Sequence, residues 1–129
     1  MKDLELSILE FGDCADGKYD YQGLIDYAIT ADALNFKRFW LGEHYNGNLH
    51  FTNPELLVPI IAGSTDTISV GVAGVLINYH SPYTVATKYK LLANLFPGRI
   101  DLGIAKSVLP HDIASALNFC SPGEASKEN

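Results

Sequence analysis

The stretch RFWLGEHYNGNLHFTN, residues 38–53, has the pattern of a β-strand that ends in a polar loop. Arg38 to Leu41 are half apolar and aromatic, which favours a short strand on a partly buried sheet surface. Glu43 and His44 follow at the carboxyl end of that strand, and the residues after them are rich in Asn and Gly, which are typical of turns. The stretch therefore predicts two functional side chains at the end of a strand.

In parallel α/β folds, ligands bind just beyond the carboxyl ends of the strands. An imidazole titrates near neutral pH, so His44 at that place can act as a catalytic base or a polar stabiliser. We expect Glu43 to orient or charge His44. The residues leave one alternative open, in which His44 is a loop histidine bonded to Glu43 or to backbone.

Strand and helix patterns alternate along the rest of the chain. Strand patterns lie roughly at 4–11, 38–41, 68–77 and 99–105, and helix patterns at 21–34, 54–64, 82–95 and 112–117. This alternation predicts a parallel sheet with right-handed crossovers. Asn35 is expected to end the first helix in a left-handed conformation. Asn53 is expected to cap the second helix and Pro59 to kink it.

Four strands are half of what an eight-stranded barrel needs, and such a barrel takes about 200 residues or more. A lone four-stranded unit of this kind exposes two unpaired sheet edges and the apolar faces of its strands, which favours association. We therefore expect a partner chain or a second copy to complete the sheet.

Composition excludes several classes of protein. The chain has 129 residues, is 47% hydrophobic, and carries nine Lys and Arg against fifteen Asp and Glu, for a net charge of -6. No basic surface for nucleic acid is available, and no segment approaches the roughly 20 apolar residues of a membrane span. The amino terminus lacks a signal-peptide pattern, and Cys14 and Cys120 lack metal or disulfide spacing, so a cytoplasmic location with free thiols is predicted.

The remaining candidates are histidines and small residues. His44, His50, His80 and His111 match no metal-ligand spacing, so no metal site is predicted. His80 either lines a cleft or belongs to the turn before the third helix. Gly71 and the pair Ala73-Gly74 interrupt a strand, which indicates close approach by a ligand or tight packing of neighbouring elements.

Three segments together resemble a known family. They are FWLGEH at 39–44, SVGVAGVLINYHSP at 69–82 and LFPGRIDLGIAKS at 95–107. In their order and spacing they resemble the N-terminal half of the bacterial luciferase-like, flavin-dependent monooxygenases. The resemblance implies a TIM barrel that uses reduced FMN and oxygen to oxidise a small organic substrate, often with a separate flavin reductase. A related branch uses the deazaflavin F420 for hydride transfer.

The resemblance also implies roles for particular residues. His44 matches the active-site histidine, and Ala73-Gly74 matches a small pair where the family often has a non-proline cis peptide beside the flavin ring. Ala105 and Lys106 match the end of the fourth strand, near the flavin. The family usually has Arg where this chain has Lys106, so bidentate phosphate contact is lost although the charge is kept.

The combined prediction is half of a TIM (β/α)8 barrel, with a half-barrel domain at 1–119 and a polar tail at 120–129. Its predicted function is that of a subunit of a luciferase-like flavin-dependent monooxygenase, active when a second half-barrel completes it. The alternative is a non-catalytic flavin-binding or structural subunit that stabilises an active paralogue.

Overall fold

The computed structural model describes residues 3–12, 14–15, 17–45 and 51–117. Within these ranges the strands are β1 (Ser7–Glu10), β2 (Cys14–Ala15), β3 (Lys18–Tyr19), β4 (Arg38–Leu41), β5 (Ser69–Leu76) and β6 (Ile100–Ala105). The helices are α1 (Tyr21–Ala33), α2 (Val58–Ser64), α3 (Pro82–Leu95) and α4 (His111–Leu117). The predicted alternation of strands and helices is thus confirmed, apart from the short β2–β3 pair.

The long strands form one parallel sheet in the order β1-β4-β5-β6. Each of these strands pairs with the one that precedes it in this set, with no reversal of direction or order. A doubly wound sheet reverses its order at a switch point, whereas a singly wound sheet adds each strand on the same side, as a barrel does. The predicted parallel α/β sheet of four βα units is therefore confirmed.

The core lies between one face of this sheet and the helices. Phe39 and Leu41 of β4 and Val70 and Val72 of β5 are fully buried there. They pack with buried helix residues, among them Ala28, Ala31, Val58, Ile61, Val85 and Leu92. Side chains alternate between the two faces of a strand, so Trp40 lies on the opposite face. Its neighbour Leu9, in register on β1, is 48% exposed.

The second helix differs from its prediction. A short 3-10 helix at Pro54–Leu56 precedes α2, so the expected single helix is divided. Pro59 lies in the first turn of α2, where its missing N–H is not needed, and it does not kink a helix interior. The prediction that Asn53 caps the helix is also wrong, because its side-chain amide donates to the Thr52 hydroxyl at 3.1 Å.

Two further predictions fall on short segments. Asn35 has φ 62°, which confirms the left-handed residue expected at the end of α1. The segment 12–20, expected to be a plain loop, contains the antiparallel pair β2–β3 with Gly17 at φ 74°. Residues 118–129, which include the predicted polar tail and Cys120, lie outside the described residues. The division into a domain at 1–119 and a tail therefore stays a prediction.

At the amino edge of the sheet, Asp32 holds the loop that leads into β5. Its carboxylate accepts the N–H groups of Asp66 at 2.6 Å and Ile68 at 2.8 Å, and the hydroxyl of Thr67. Burial alone raises the pKa of Asp32, but these hydrogen bonds outweigh it and hold the pKa below its ordinary value. The ionised carboxylate is thus the form that the fold favours.

Arg99 stabilises the same loop from the start of β6. Its guanidinium donates to the Thr65 and Ile68 carbonyls, at 3.1 and 2.8 Å, and to the Thr65 hydroxyl at 2.7 Å. Asp101 lies only two residues after Arg99 in the sequence. Asp101 pairs instead with Arg38 of β4, at 3.1 Å, because those two side chains lie on the same face of the sheet.

Candidate functional site

The sheet brings all the predicted site residues to one edge. Glu43 and His44 follow β4, Ala73 and Gly74 lie in the carboxyl half of β5, and Ala105-Lys106 ends β6. Because β4, β5 and β6 are parallel neighbours, their carboxyl ends meet at the same edge. Residues far apart in the sequence therefore form one candidate site.

Glu43 is a buried carboxylate whose side chain is 2% exposed. Its Oε2 accepts the Leu76 N–H at 2.6 Å, and its Oε1 accepts the Tyr45 hydroxyl at 2.9 Å and lies 2.5 Å from His80 Nε2. A buried carboxylate is costly unless hydrogen bonds satisfy it. The Leu76 N–H, the Tyr45 hydroxyl and the His80 ring together meet that requirement.

His80 is thus a side-chain partner of Glu43, and the expectation that Glu43 orients or charges His44 stays a prediction. The His44 main-chain N–H donates to the Phe51 carbonyl at 2.9 Å, and its ring lies edge-to-face against Phe11 with centroids 4.9 Å apart. For His80 the sequence indicates two alternatives, a place in a cleft or a place in the turn before α3. The pairing was not predictable from local pattern, since the two residues are 37 positions apart.

The Tyr45 hydroxyl donates a hydrogen bond to the Glu43 carboxylate. Burial raises the pKa of the Tyr45 hydroxyl, and the negative charge of Glu43 and its hydrogen bond raise the pKa further. Burial, followed by the charges of Glu55 and Glu43, also raises the pKa of Tyr89 on α3. The Tyr89 hydroxyl is buried with no hydrogen-bond partner in the part of the chain that the structure describes.

The peptide bond between Ala73 and Gly74 is cis, as the family resemblance implied. The pairing of β5 with β6 shifts here, with Val72 opposite Leu102 and Val75 opposite Ile104. A Cβ placed on Gly74 would lie 3.1 Å from the Cβ and the backbone nitrogen of Ala105. Tight packing of β5 on β6 thus accounts for the absence of a side chain at Gly74.

Ala73, Gly74, Gly103 and Ala105 form what we call the small-residue surface, and all four are half-buried. Gly103 was not predicted as a site residue, although a glycine inside the strand pattern RIDLGIA was an available signal. A Cβ on Gly103 would lie 2.6 Å from the Val72 carbonyl oxygen. A surface of backbone and methyl groups fits a planar ring, and the exposed Lys106 beside it fits a phosphate, so these residues suit a flavin or a deazaflavin.

The segment that follows Lys106 is fixed by the turn after β5, a 3-10 helix at Ile77–Tyr79. The Asn78 side-chain amide donates to the Ser107 carbonyl at 3.0 Å and its oxygen accepts the Ser107 N–H at 3.4 Å. The Tyr79 hydroxyl accepts the Leu109 N–H at 3.1 Å. The main chain just after Lys106 is therefore held by the turn after β5 and not by β6 alone.

No group of three or more His, Cys, Asp or Glu side chains that could hold a metal occurs in residues 3–12, 14–15, 17–45 and 51–117. His50 lies outside those ranges, so the full histidine set is not described. Over the same ranges, no helix has both the length and the apolar character needed to cross a bilayer.

Comparison with known proteins identifies the family. The sequence profile described as luciferase-like monooxygenase matches residues 6–128. The chain belongs to the luciferase-like monooxygenase family. The resemblance noted in the segments at 39–44, 69–82 and 95–107 is thereby confirmed.

Two relatives come from Bacillus subtilis (strain 168). The uncharacterized protein YwcH is 38% identical over 120 residues, which are 89% of this chain and 36% of YwcH. An N-acetyl-S-alkylcysteine monooxygenase is 35% identical over 108 residues, which are 81% of this chain and 32% of that protein. The chain thus spans about a third of the length of these relatives.

Solved structures share the fold. The crystal structure of apo-MsnO8 has a TM-score of 0.84 at 33% identity, over 97% of this chain and 40% of that chain. The FMN complex of the oxygenating constituent of 3,6-diketocamphane monooxygenase from Pseudomonas putida has a TM-score of 0.79 at 22% identity, over 94% and 34%. An F420-dependent secondary alcohol dehydrogenase has 0.61 at 14%, over 88% and 39%. The last two show likeness of fold alone.

Proposed function

We propose that this chain forms part of a flavin-dependent monooxygenase that uses reduced FMN and O2 to oxidise a small organic substrate. The observation that carries the proposal is the small-residue surface, which lies at the same edge of the sheet as His44 and Lys106. An apolar surface that fits a planar ring, a cation and an imidazole are together what a flavin oxygenase needs from this half of its site.

The chain's own residues divide the work. Ala73, Gly74 and Ala105 would hold the flavin ring, and Lys106 would neutralise charge on the phosphate. The flavin, when bound, supplies the electrons and the reaction with O2. His44 acts on the substrate side as a base or as a hydrogen-bond donor to developing negative charge. Its ring is held against Phe11, which fixes its direction.

FMN is the cofactor that we favour over a deazaflavin. The monooxygenase relative at 35% identity and the family to which the chain belongs both favour oxygen chemistry. The fold also occurs in an F420-dependent dehydrogenase, so the fold does not distinguish the two cofactors. A separate flavin reductase would supply the reduced FMN.

The active form, we propose, contains a second half-barrel, from another chain or from a second copy of this one. The apolar side chains of Leu9 on β1 and of Leu102 and Ile104 on β6 are exposed at the two edge strands of the parallel sheet. Paired edges and covered side chains are what a closed barrel provides.

Titration with FMN, followed by flavin absorbance and fluorescence, tests the proposal on the wild-type chain in its associated form. We expect saturable binding that is tighter for FMN than for F420. Lys106→Ala should weaken FMN binding about tenfold, the equivalent of one lost charge contact. Lys90→Ala, at an exposed position on α3, is the matched control and should leave FMN binding unchanged.

Two outcomes would contradict the proposal. Absence of saturable FMN binding by the associated chain would remove the flavin site itself. Binding of FMN without consumption of reduced FMN and O2 would favour the non-catalytic flavin-binding or structural subunit.

A further inference from the structure

The pair formed by Glu43 and His80 joins the segment after β4 to the turn after β5, at the carboxyl edge of the sheet. One carboxylate binds both ends of the turn that follows β5, because Oε2 accepts the Leu76 N–H and Oε1 contacts His80 Nε2. The turn between them, Ile77–Tyr79, is therefore closed by a side chain from the segment after β4. Glu43 Oε2 lies 2.6 Å from the Leu76 nitrogen, so Glu43 sets the shape of a segment that is more than 30 positions away in the sequence.

The same turn fixes the loop after β6. Asn78 binds both polar backbone groups of Ser107, and Tyr79 accepts the N–H of Leu109. Lys106 directly precedes Ser107, so its main chain is held by the turn. A continuous set of hydrogen bonds thus runs from Glu43 through the turn to the residue next to Lys106.

The chemistry of these contacts makes Glu43 an acceptor. The Leu76 N–H can only donate, and the Tyr45 hydroxyl donates to Oε1 at 2.9 Å. A proton on Oε2 would face the Leu76 N–H. His80, whose side chain is 19% exposed, completes the set with Nε2, which donates or accepts according to its tautomer. The contacts with Leu76 and Tyr45 use Glu43 as an acceptor, which is the role of a carboxylate that positions its neighbours.

We propose that Glu43 and His80 are positioning residues, which hold the turn after β5 and through it the loop that presents Lys106, and that Glu43 transfers no proton in the reaction. This inference rests on the proposed function for the role of Lys106, and on the hydrogen bonds alone for the role of the pair.

Amide substitutions separate positioning from proton transfer. In Glu43→Gln the side-chain carbonyl still accepts the Leu76 N–H. The amide nitrogen can donate to His80 Nε2 when that ring carries its proton on Nδ1. In His80→Gln the amide nitrogen reaches the place of Nε2, whereas in His80→Asn the shorter side chain places it nearer Nδ1. Glutamine should therefore rescue both positions, and His80→Asn is the matched control that should not.

The readouts are FMN affinity and kcat of the completed enzyme at saturating FMN. We expect Glu43→Gln and His80→Gln to keep both values within about threefold of wild type. His80→Asn and Asn78→Ala should weaken FMN binding about tenfold while kcat at saturating FMN changes little. A fall in kcat for Glu43→Gln as large as that for Glu43→Ala, with FMN affinity unchanged, would overturn the inference and make Glu43 a proton carrier.

Amide hydrogen exchange tests the pair without the cofactor. Exchange at Leu76 and Ser107 should be faster in His80→Asn than in wild type and should return to the wild-type rate in His80→Gln. Equal rates in all three proteins would overturn the inference even if FMN binds. If wild type shows the expected exchange pattern but binds no FMN, the proposed function fails and the positioning role of the pair stands.

Discussion

At the scale of single residues, the carboxyl edge of the sheet combines polar side chains that are held in place with positions that have almost no side chain. His44 lies against Phe11, and Glu43 is hydrogen-bonded to Leu76, Tyr45 and His80. Gly74 and Gly103 leave room for the backbone of the neighbouring strand. Each of these features can be changed by one substitution.

Replacement of His44 by Ala should lower kcat of the completed enzyme by about 10²- to 10³-fold, because a positioned acid or base contributes that much to proton transfer. The measurement is the initial rate of product formation at saturating reduced FMN and O2. His111→Ala, at an exposed position that begins α4, is the control and should keep the wild-type rate. An unchanged rate for His44→Ala would favour the non-catalytic flavin-binding alternative.

Replacement of Gly74 by Ala should lower the free energy of unfolding by about 1 to 3 kcal/mol, because the added methyl group must displace the backbone of β6. Gly63→Ala is the control. Gly63 lies inside α2, and its added Cβ would be 4.0 Å from the Phe96 ring, so there is room for it. Because alanine suits a helix better than glycine, this variant should raise the free energy of unfolding by about 0.5 to 1 kcal/mol. Urea denaturation measures both. Equal stability of the two variants would contradict the tight approach of β5 to β6.

At the scale of secondary-structure elements, local patterns predicted most of the fold. The strand at Arg38–Leu41 has the predicted bounds, and α3 begins at Pro82 and ends at Leu95 as the apolar period and the Pro97-Gly98 stop indicate. Pro59 was misread because a proline suits the first turn of a helix as well as it breaks an interior. The β2–β3 pair was missed because two-residue strands leave no period to detect.

The candidate site was predictable only where a local signal or the family resemblance supplied it. His44 and Ala73-Gly74 were singled out in this way. The pairing of Glu43 with His80 was not, because hydrogen bonds between residues 37 positions apart depend on how strands are placed side by side. The same reason explains why Asp101 forms its ion pair with Arg38 and not with Arg99, which is closer in the sequence.

The loop between α2 and β5 gives an element-scale prediction. Asp32→Asn should lower the free energy of unfolding at pH 7 by about 1 to 2 kcal/mol, since the amide NH2 would face the N–H groups of that loop. The control is Asp26→Asn on the exposed face of α1, where one acceptor oxygen still serves Gln22. Chemical denaturation as a function of pH is the measurement.

The pH dependence has a defined sign. The pKa of Asp32 in the folded state lies below its ordinary value of 3.8, so its contribution is fully present above that value. The contribution is lost as the pH falls through the lower, folded-state pKa. The stability gap between wild type and Asp32→Asn should therefore close on acidification. A gap that widens as pH falls would contradict the assignment.

At the scale of the whole molecule, the parallel sheet has two edge strands, β1 and β6. Ile104 on β6 is 62% exposed and Leu9 on β1 is 48% exposed. The helices cover one face of the sheet, and the small-residue surface at its carboxyl edge remains half-buried. The proposed second half-barrel would pair with these two edge strands.

A charge at the β6 edge should prevent association while leaving the chain folded. Ile104→Lys places an ammonium group at an exposed site that association would bury, where it would be costly. Leu34→Lys, at the exposed end of α1, is the control and should associate like wild type. The circular dichroism spectrum checks that both variants stay folded. Unchanged association of Ile104→Lys would place the interface away from β6.

The mass of the wild-type chain in solution, measured by sedimentation equilibrium across micromolar concentrations, tests the central claim that its sheet is completed by further strands. The account predicts a discrete species of at least twice 14.1 kDa, with the chain itself or with a companion chain. A stable, cooperatively folded monomer of 14.1 kDa at all concentrations, with no companion recovered, would contradict it.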